Sequence, residues 1–492
     1  MKEQNRIAYV VNSKFYPLLL FFVSFVFVTL FSRSTSFLYV FEGADPAIFK
    51  QMGLAVLKGK TLYVDYFDNK GCILYFIHAF GLWLGGNFGI LALQILSLTL
   101  TLIIWDKILG LYRDERGRIV GLSIGLFLLF CYYGAGDQTQ EWCLPFVSYP
   151  LLVYCRSIKD KSKIRMAQMF IIGICLGIIT FIQINNTCLI IGFVAYSWIQ
   201  YLSEKDFRNL LKSVASCIAG WMIIAIVCVL YFYLKSGGHG VYEMYYAMFL
   251  SNIEYVGIQQ GRPWQYWLPY TVLVLLVIAI QILNYQHSKP FLIPVLISIA
   301  LFVLTFGRRC NSFYLAAILP LFIINLATID TADHKVANRW LFSLAVAFSV
   351  FVGIMSFFHV INDLILRKEK EVVIYNSFHQ CIQNIPEKDR DSIFNYNLFW
   401  HGYSMMQHEN LLQCNRVSVA FDLPTLMKEE ASKPPVSPKW IMMSPNMKYY
   451  DNDASFILDN YELVDSLHYD RLYFNRPRIG NDLEILFFRR KD

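Results

Sequence analysis

The stretch EGADPAIFKQMGLAVLKGKTLYVDYFDNK, residues 42–70, gathers Glu42, Asp45, Asp65, Asp68 and four lysines. A carboxylate accompanied by cations suits one kind of reaction. The carboxylate takes a proton from an attacking hydroxyl, while the cations stabilise charge developing on an acidic leaving group such as a phosphate. Such a group departs without a general acid, so the paired carboxylates of glycoside hydrolysis are not required. Asp45 is the candidate base. Lys70, which closes the stretch, and the tandem Arg308 and Arg309 in FGRRCNSFY are the candidate phosphate ligands.

Asp45 also has a plain structural reading. Asp before Pro46 predicts a helix over 46–58, with Asp45 as N-cap and Pro46 at the first helical position. Gly59 would end that helix, and Ile48, Met52 and Ala55 share one face. Capping leaves Lys70 and the second acidic pair, Asp65 and Asp68, unexplained. Glu42, Asp65, Asp68, Glu141 in GAGDQTQEW, and Gln183 and Asn185 in IQINN are candidates for bonding substrate hydroxyls. Their structural alternatives are solvated loop ends and turns, where Asn is common. The alternative for the arginines is an interfacial anchor. His239, His287 and His401 show no ligand spacing, and the 11 cysteines show no zinc or haem spacing. No metal or other cofactor is therefore expected. Neither GxGxxG nor a P-loop occurs.

A charged stretch like 42–70 cannot cross a bilayer and must lie at one face of it. With 56% of its 492 residues hydrophobic and 16% charged, the chain has the composition of an α-helical polytopic membrane protein. The pattern divides it into a membrane domain over 1–362 and a small water-soluble α/β domain over 363–492. The net charge of +7 is concentrated in short loops, where it sets orientation and does not indicate nucleic acid. Lys2, Arg6 and Lys14 put the N-terminus in the cytoplasm, ahead of an uncleaved first span near 16–33. The first outer loop is then 34–87. Segment 72–84 is too short to cross and is read as interfacial or re-entrant, whereas 88–105 spans. Further spans are expected near 119–133, 142–155, 166–182, 188–202, 213–234, 266–284, 291–306, 313–328 and 340–361. The aromatic segment 235–265 is read as an outer interfacial helix. Eleven transmembrane helices place the C-terminal domain outside the cell, along with every candidate residue. In that domain DSIFNYN, PKWIMMS and LEILFFRR read as strands and ASFILDNY as a helix. Cys381 and Cys414 both fall there, and a disulfide between them is left open.

The pattern Asp45-x3-Phe49, then Gly59-Lys-x-Leu-Tyr63-x-Asp65-x5-Lys70-Gly71, resembles the first outer loop of GT-C membrane glycosyltransferases. The closest groups are the dolichyl-phosphate-mannose protein mannosyltransferase-like proteins and the bacterial lipid A aminoarabinose transferases. GDQTQEWCLPF, IQINN and RRCNSFYLAAILPLF resemble later blocks of the bacterial branch, and the likeness covers about residues 16–330. It implies a multi-pass plasma-membrane enzyme that inverts a sugar as it moves it from a polyprenyl-phosphate-linked donor to a glycan, lipid or protein acceptor. It also implies Asp45 as base and Lys70 as a ligand of the lipid phosphate. This chain departs from the family pattern at Cys72, where Pro commonly follows Lys-Gly. It also has Pro46 where some relatives carry a second acidic residue, and Gln183 where many bacterial members carry Arg. The rival reading is a transporter or flippase of lipid-linked saccharide, which needs polar or broken spans near mid-membrane. A third is a non-catalytic envelope scaffold.

Overall fold

A computed structural model describes residues 11–34, 42–133, 136–258, 285–305, 312–328, 372–396, 398–414, 438–445, 455–469 and 483–491, with isolated positions besides. The expected spans 266–284 (in most of its residues) and 340–361, and Arg308 and Arg309, lie outside them. The fold is mostly helical, with one small sheet.

The chain begins with α1 (Tyr16–Phe31), α2 (Ala44–Leu57), α3 (Cys72–Gly85), α4 (Asn87–Gly110), α5 (Glu115–Tyr132) and α6 (Thr139–Lys159). It continues through α7 (Met166–Gln183), α8 (Cys188–Ser203), α9 (Phe207–Tyr245), α10 (Ser251–Ile258), α11 (Tyr285–Thr305) and α12 (Leu319–Thr328). Among the described residues, three helical stretches are long and apolar enough to cross a membrane: Asn87–Gly110, Met166–Ser203 and Phe207–Tyr255. Shorter apolar helices cover Tyr16–Phe31, Cys72–Gly85, Pro290–Thr305 and Phe313–Thr328. The 38-residue stretch is two helices. Gln183 is extended (φ −159°, ψ 109°), a short 3-10 turn follows, and the far ends meet again where Tyr201 bonds the Ile164 carbonyl and Lys163 pairs with Glu204.

Polar clusters mark the two ends of the bundle. At one end Asp106 of α4 accepts from Tyr16 at 3.3 Å and from Arg118 Nε at 3.0 Å, tying α1, α4 and α5 together. At the other, Gln94 donates to Glu141, which also accepts from Tyr133 at 2.8 Å. Between these ends α9 exposes Ile218, Ile226, Val227, Leu230 and Leu234. An apolar surface of that size on one helix marks a face that meets a membrane or a partner. The 14-residue α3 is about 21 Å long, too short for a hydrocarbon core of about 30 Å.

Helix α2 begins two residues earlier than expected, at Ala44. Gly43 is the N-cap, Asp45 lies within the first turn, and no side chain caps the end. Capping therefore does not occupy the Asp45 carboxylate, although a negative charge in a first turn is still favoured by the helix dipole. Ile48, Met52 and Ala55 are buried as the pattern requires.

In the C-terminal region, β1 (Ile393–Asn395), β2 (Trp440–Met443), β3 (Tyr461–Tyr469) and β4 (Leu483–Arg490) form a sheet of order β1-β2-β4-β3, with β1 and β2 parallel and the other pairs antiparallel. Alternation builds a core on each face. Trp440, Met442, Ile485 and Phe487 meet a helix over 372–384 and α13 (Phe399–His408), while Ile441 and Phe488 meet Ile457. The expected helix ends at Asn460, in α14 (Ser455–Asn460), and the strand that follows it was not anticipated. Its sequence, YELVDSLHY, is mostly solvent-facing and carries a register shift at Leu463/Asp465, so its hydrophobic alternation is weak. Cys381 and Cys414 are free thiols.

Candidate active site

The segment joining α2 to α3 is a compact turn built around one lysine. Gly59 (φ 78°) lets the chain reverse after α2, and Asp65 closes the next turn by accepting from the Thr61 amide at 2.6 Å. Tyr63 is left-handed (φ 66°), and its hydroxyl donates to the Lys70 carbonyl at 2.7 Å. The Lys70 amide donates to the Tyr75 hydroxyl at 3.3 Å, and that hydroxyl donates to Asp68. Next, Gly71 donates to the Ile182 carbonyl at 3.0 Å, at the end of α7. The approach is so close that a Cβ at Gly71 would collide with the backbone of Phe181 and Ile182. Lys70 is thus fixed by its backbone on three sides.

Its side chain lines a cavity of about 400 Å³, a volume typical of small-ligand sites. Asn69, Lys70, Gln183, Asn185, Asn252 and Tyr255 supply a polar end; Met248, Phe249, Ile253 and Leu304 supply an apolar wall. Lys70 Nζ donates to Asn69 Oδ1 at 2.7 Å. Asn69 is locked in turn to Asn252, which donates to its carbonyl at 2.9 Å and accepts from its amide nitrogen at 3.3 Å. Asn252 follows a π-helical turn, Tyr246–Leu250, in the segment read from sequence as an interfacial helix.

Asp45 shares the electrostatic field of this turn. Burial pushes its carboxyl above the ordinary range and Asp68 adds to that, while Lys70 pulls it down. For Lys70 burial works against the charge, but Asp68 and Asp45 outweigh it and hold the ammonium above its ordinary value. The outcome is a carboxyl held basic in the field of a firmly protonated amine.

The structure therefore groups Asp45, Asp68 and Lys70, and brings Gln183 and Asn185 to the cavity with Lys70. Gln183 accepts from Gln140 at 2.9 Å, and Asn185 donates to the Thr305 carbonyl at 3.3 Å. The other candidates stand elsewhere. Glu42 is buried against Lys50 at 2.7 Å and accepts from Ser404, and Lys50, His408 and Ser404 overcome the effect of burial to hold it below the usual carboxylate range. Asp65 is exposed and serves its turn. Glu141 is buried and bonded to Tyr133, Gln94 and the Asp137 amide. Sequence reading missed the buried His78–Asp137 pair at 2.9 Å, and also Asn252 and Tyr255. No spacing marks them: Asp137 is 59 positions from His78, and Asn252 is 183 from Asn69. Among the described residues no group of three or more His, Cys, Asp or Glu could hold a metal ion.

No family model matches the chain, and no curated protein does. Solved structures of the oligosaccharyltransferase of Archaeoglobus fulgidus are similar to it at low identity. The apo form is 13% identical with a TM-score of 0.46, covering 95% of this chain and 75% of that one. The form tethered to an acceptor peptide containing the NVT sequon is 12% identical with a TM-score of 0.47, covering 94% and 74%. The complex with Zn and sulfate is 13% identical with a TM-score of 0.44, covering 93% and 72%. No substrate is carried across by similarities of this degree.

Proposed function

We propose that this chain is an inverting membrane glycosyltransferase that takes a sugar from a polyprenyl-phosphate-linked donor. The observation that supports it is the cavity. Lys70 stands at its polar end, apolar side chains line the rest, and Asp45 lies within the lysine's field. A phosphate bearing an isoprenoid chain has that same division of polarity. Asp45 accepts the proton of an acceptor hydroxyl as the oxygen attacks the anomeric carbon. The bond from that carbon to the phosphate oxygen breaks, and its electron pair leaves with the polyprenyl phosphate, whose charge Lys70 stabilises. One displacement inverts the carbon. Arg308 and Arg309 supply further cations in this reading, and no metal is called on because lysine and arginine neutralise the leaving group.

The acceptor is a glycan, lipid or protein, and the reaction runs at the outer face of the plasma membrane, with residues 1–362 forming the multi-pass domain and 363–492 an extracytoplasmic one. The test is mass spectrometry of lipid-linked sugars and surface glycans in cells carrying a deletion or Asp45→Asn. Both should lose the same sugar and accumulate its lipid-linked donor. Loss of the sugar in the deletion alone would show that Asp45 is not the base. A flippase would leave Asp45→Asn cells close to wild type.

A further inference from the structure

We propose that Arg416, from the C-terminal region, is a positioning residue for Lys70; its phosphate-binding consequence rests on the reading of the cavity given above. Residues 404–414 and Arg416 run along the first loop. Gln51 donates to the Leu411 carbonyl at 3.0 Å, Lys58 to that of Asn410 at 2.7 Å, and Tyr66 to that of Gln413. At its end the Phe67 amide donates to the Arg416 carbonyl at 2.8 Å.

The Arg416 side chain then reaches the turn itself. Its Nε and Nη2 donate to the Tyr63 carbonyl at 3.0 and 2.8 Å, and Nη2 also meets Glu243 Oε2 at 2.6 Å. The guanidinium carbon lies 5.9 Å from the centre of the Phe67 ring. Both members of the ion pair are nearly buried, and His239 stands 3.8 Å from the other Glu243 oxygen. Tyr63 is the residue this fork needs to hold. A left-handed tyrosine persists only where its surroundings enforce it, and its hydroxyl carries the Lys70 carbonyl. Glu243, on the part of α9 beyond the break at Ser236 and Gly237, anchors the fork to the helical bundle. Arg416 therefore links three parts of the chain: the C-terminal region, α9 and the turn that aims Lys70 into the cavity.

The test uses full-length protein in nanodiscs. Arg416→Gln strands the Glu243 charge, so the paired Arg416→Gln/Glu243→Gln variant, which removes both charges, is measured beside it. Amide hydrogen exchange over 61–71 should quicken by an order of magnitude while that of 166–183 stays as in wild type. Affinity for undecaprenyl phosphate should fall on the order of tenfold, as for one lost charge-assisted contact. Unchanged exchange over 61–71 in the paired variant overturns the proposal. Faster exchange with full affinity overturns it as well, because Lys70 would then not depend on the turn. A wild-type protein with no affinity for the lipid phosphate sinks the glycosyl-transfer reading and the phosphate half of the proposal; the exchange data still decide whether Arg416 holds the turn.

Discussion

Replacing Gly71 by Ala tests whether the placement of Lys70 matters. The backbone angles at Gly71 (φ −75°, ψ 150°) suit any residue, so the substitution costs nothing in conformation. Its whole cost is steric. The new Cβ would stand 2.8 Å from the Ile182 nitrogen, against 3.4 Å or more for ordinary contact, and closer still to the Phe181 carbonyl. The obstacle is helix backbone, packed between side chains that are themselves buried, so the turn must retreat by about 1 Å. That retreat stretches the 3.0 Å bond from Gly71 to Ile182. Overpacking of this size costs about 1–3 kcal/mol, and the lost bond about 1 kcal/mol. Misplacing a charged ligand by about 1 Å lowers catalysis about a hundredfold. Sugar transfer in membranes should fall by that factor in Gly71→Ala, with undecaprenyl phosphate binding weakened and the protein still folded by size-exclusion chromatography. Full activity would refute the reasoning, since it would mean either that the turn is not docked on α7 or that Lys70 does not act.

Asp45→Asn should lower transfer by about 10²–10⁴-fold, the usual contribution of a general base, with only a small change in melting temperature, since the side chain makes no capping bond and the helix dipole favours its charge only weakly; a large loss of stability in place of rate would return Asp45 to a structural role. The rate should decline as pH falls through the raised pKa of Asp45, since only the carboxylate can accept a proton. Asp68 contributes to that rise, so Asp68→Asn should move the acid limb of the pH–rate profile to lower pH, and an unmoved limb would separate the two groups. Lys50→Met should destabilise the fold by about 3–5 kcal/mol in denaturant titration, because it leaves Glu42 charged in a dry site; adding Glu42→Gln should recover most of that loss.

Local rules carry a long way in this chain. Apolar runs bounded by basic loops place α1 and α4–α8 within about five residues, because a membrane-crossing helix must be apolar along its length and its ends must not be; α9 starts before its expected span and runs on past its end. Strands β1, β2 and β4 are equally plain: each is a short apolar segment that faces a core on both sides. The failures share a cause. Helix α2 starts at Ala44 with Gly43 as N-cap, leaving Asp45-Pro46 within the first turn and not at its edge. Strand β3 has little to bury. Both depend on neighbours that the local sequence does not name.

The candidate site divides along the same line. Asp45, Asp68 and Lys70 lie within one 26-residue window, so the chemistry their types suggest could be read where they stand. Nothing in that window distinguishes them from Glu42 and Asp65, which have the same carboxylate and end in other roles. What separates them is contact with distant parts of the chain. Lys50 and Ser404 occupy Glu42, whereas the end of α7, Asn252 on α10 and the Tyr63–Arg416–Glu243 cluster leave Lys70 facing a cavity. Lys70, half-buried, and Lys50, buried, both lie in the field of carboxylates. Lys50 bonds Glu42 directly and closes an internal pair, while Lys70 donates to a neutral amide, Asn69, and feels Asp68 and Asp45 through their field without a direct bond to either. A cation held by a neutral amide keeps its charge available to an incoming anion. That difference in partner, invisible in spacing, leaves Lys70 the lysine of this loop that faces a cavity, which is why the proposed phosphate contact is assigned to it.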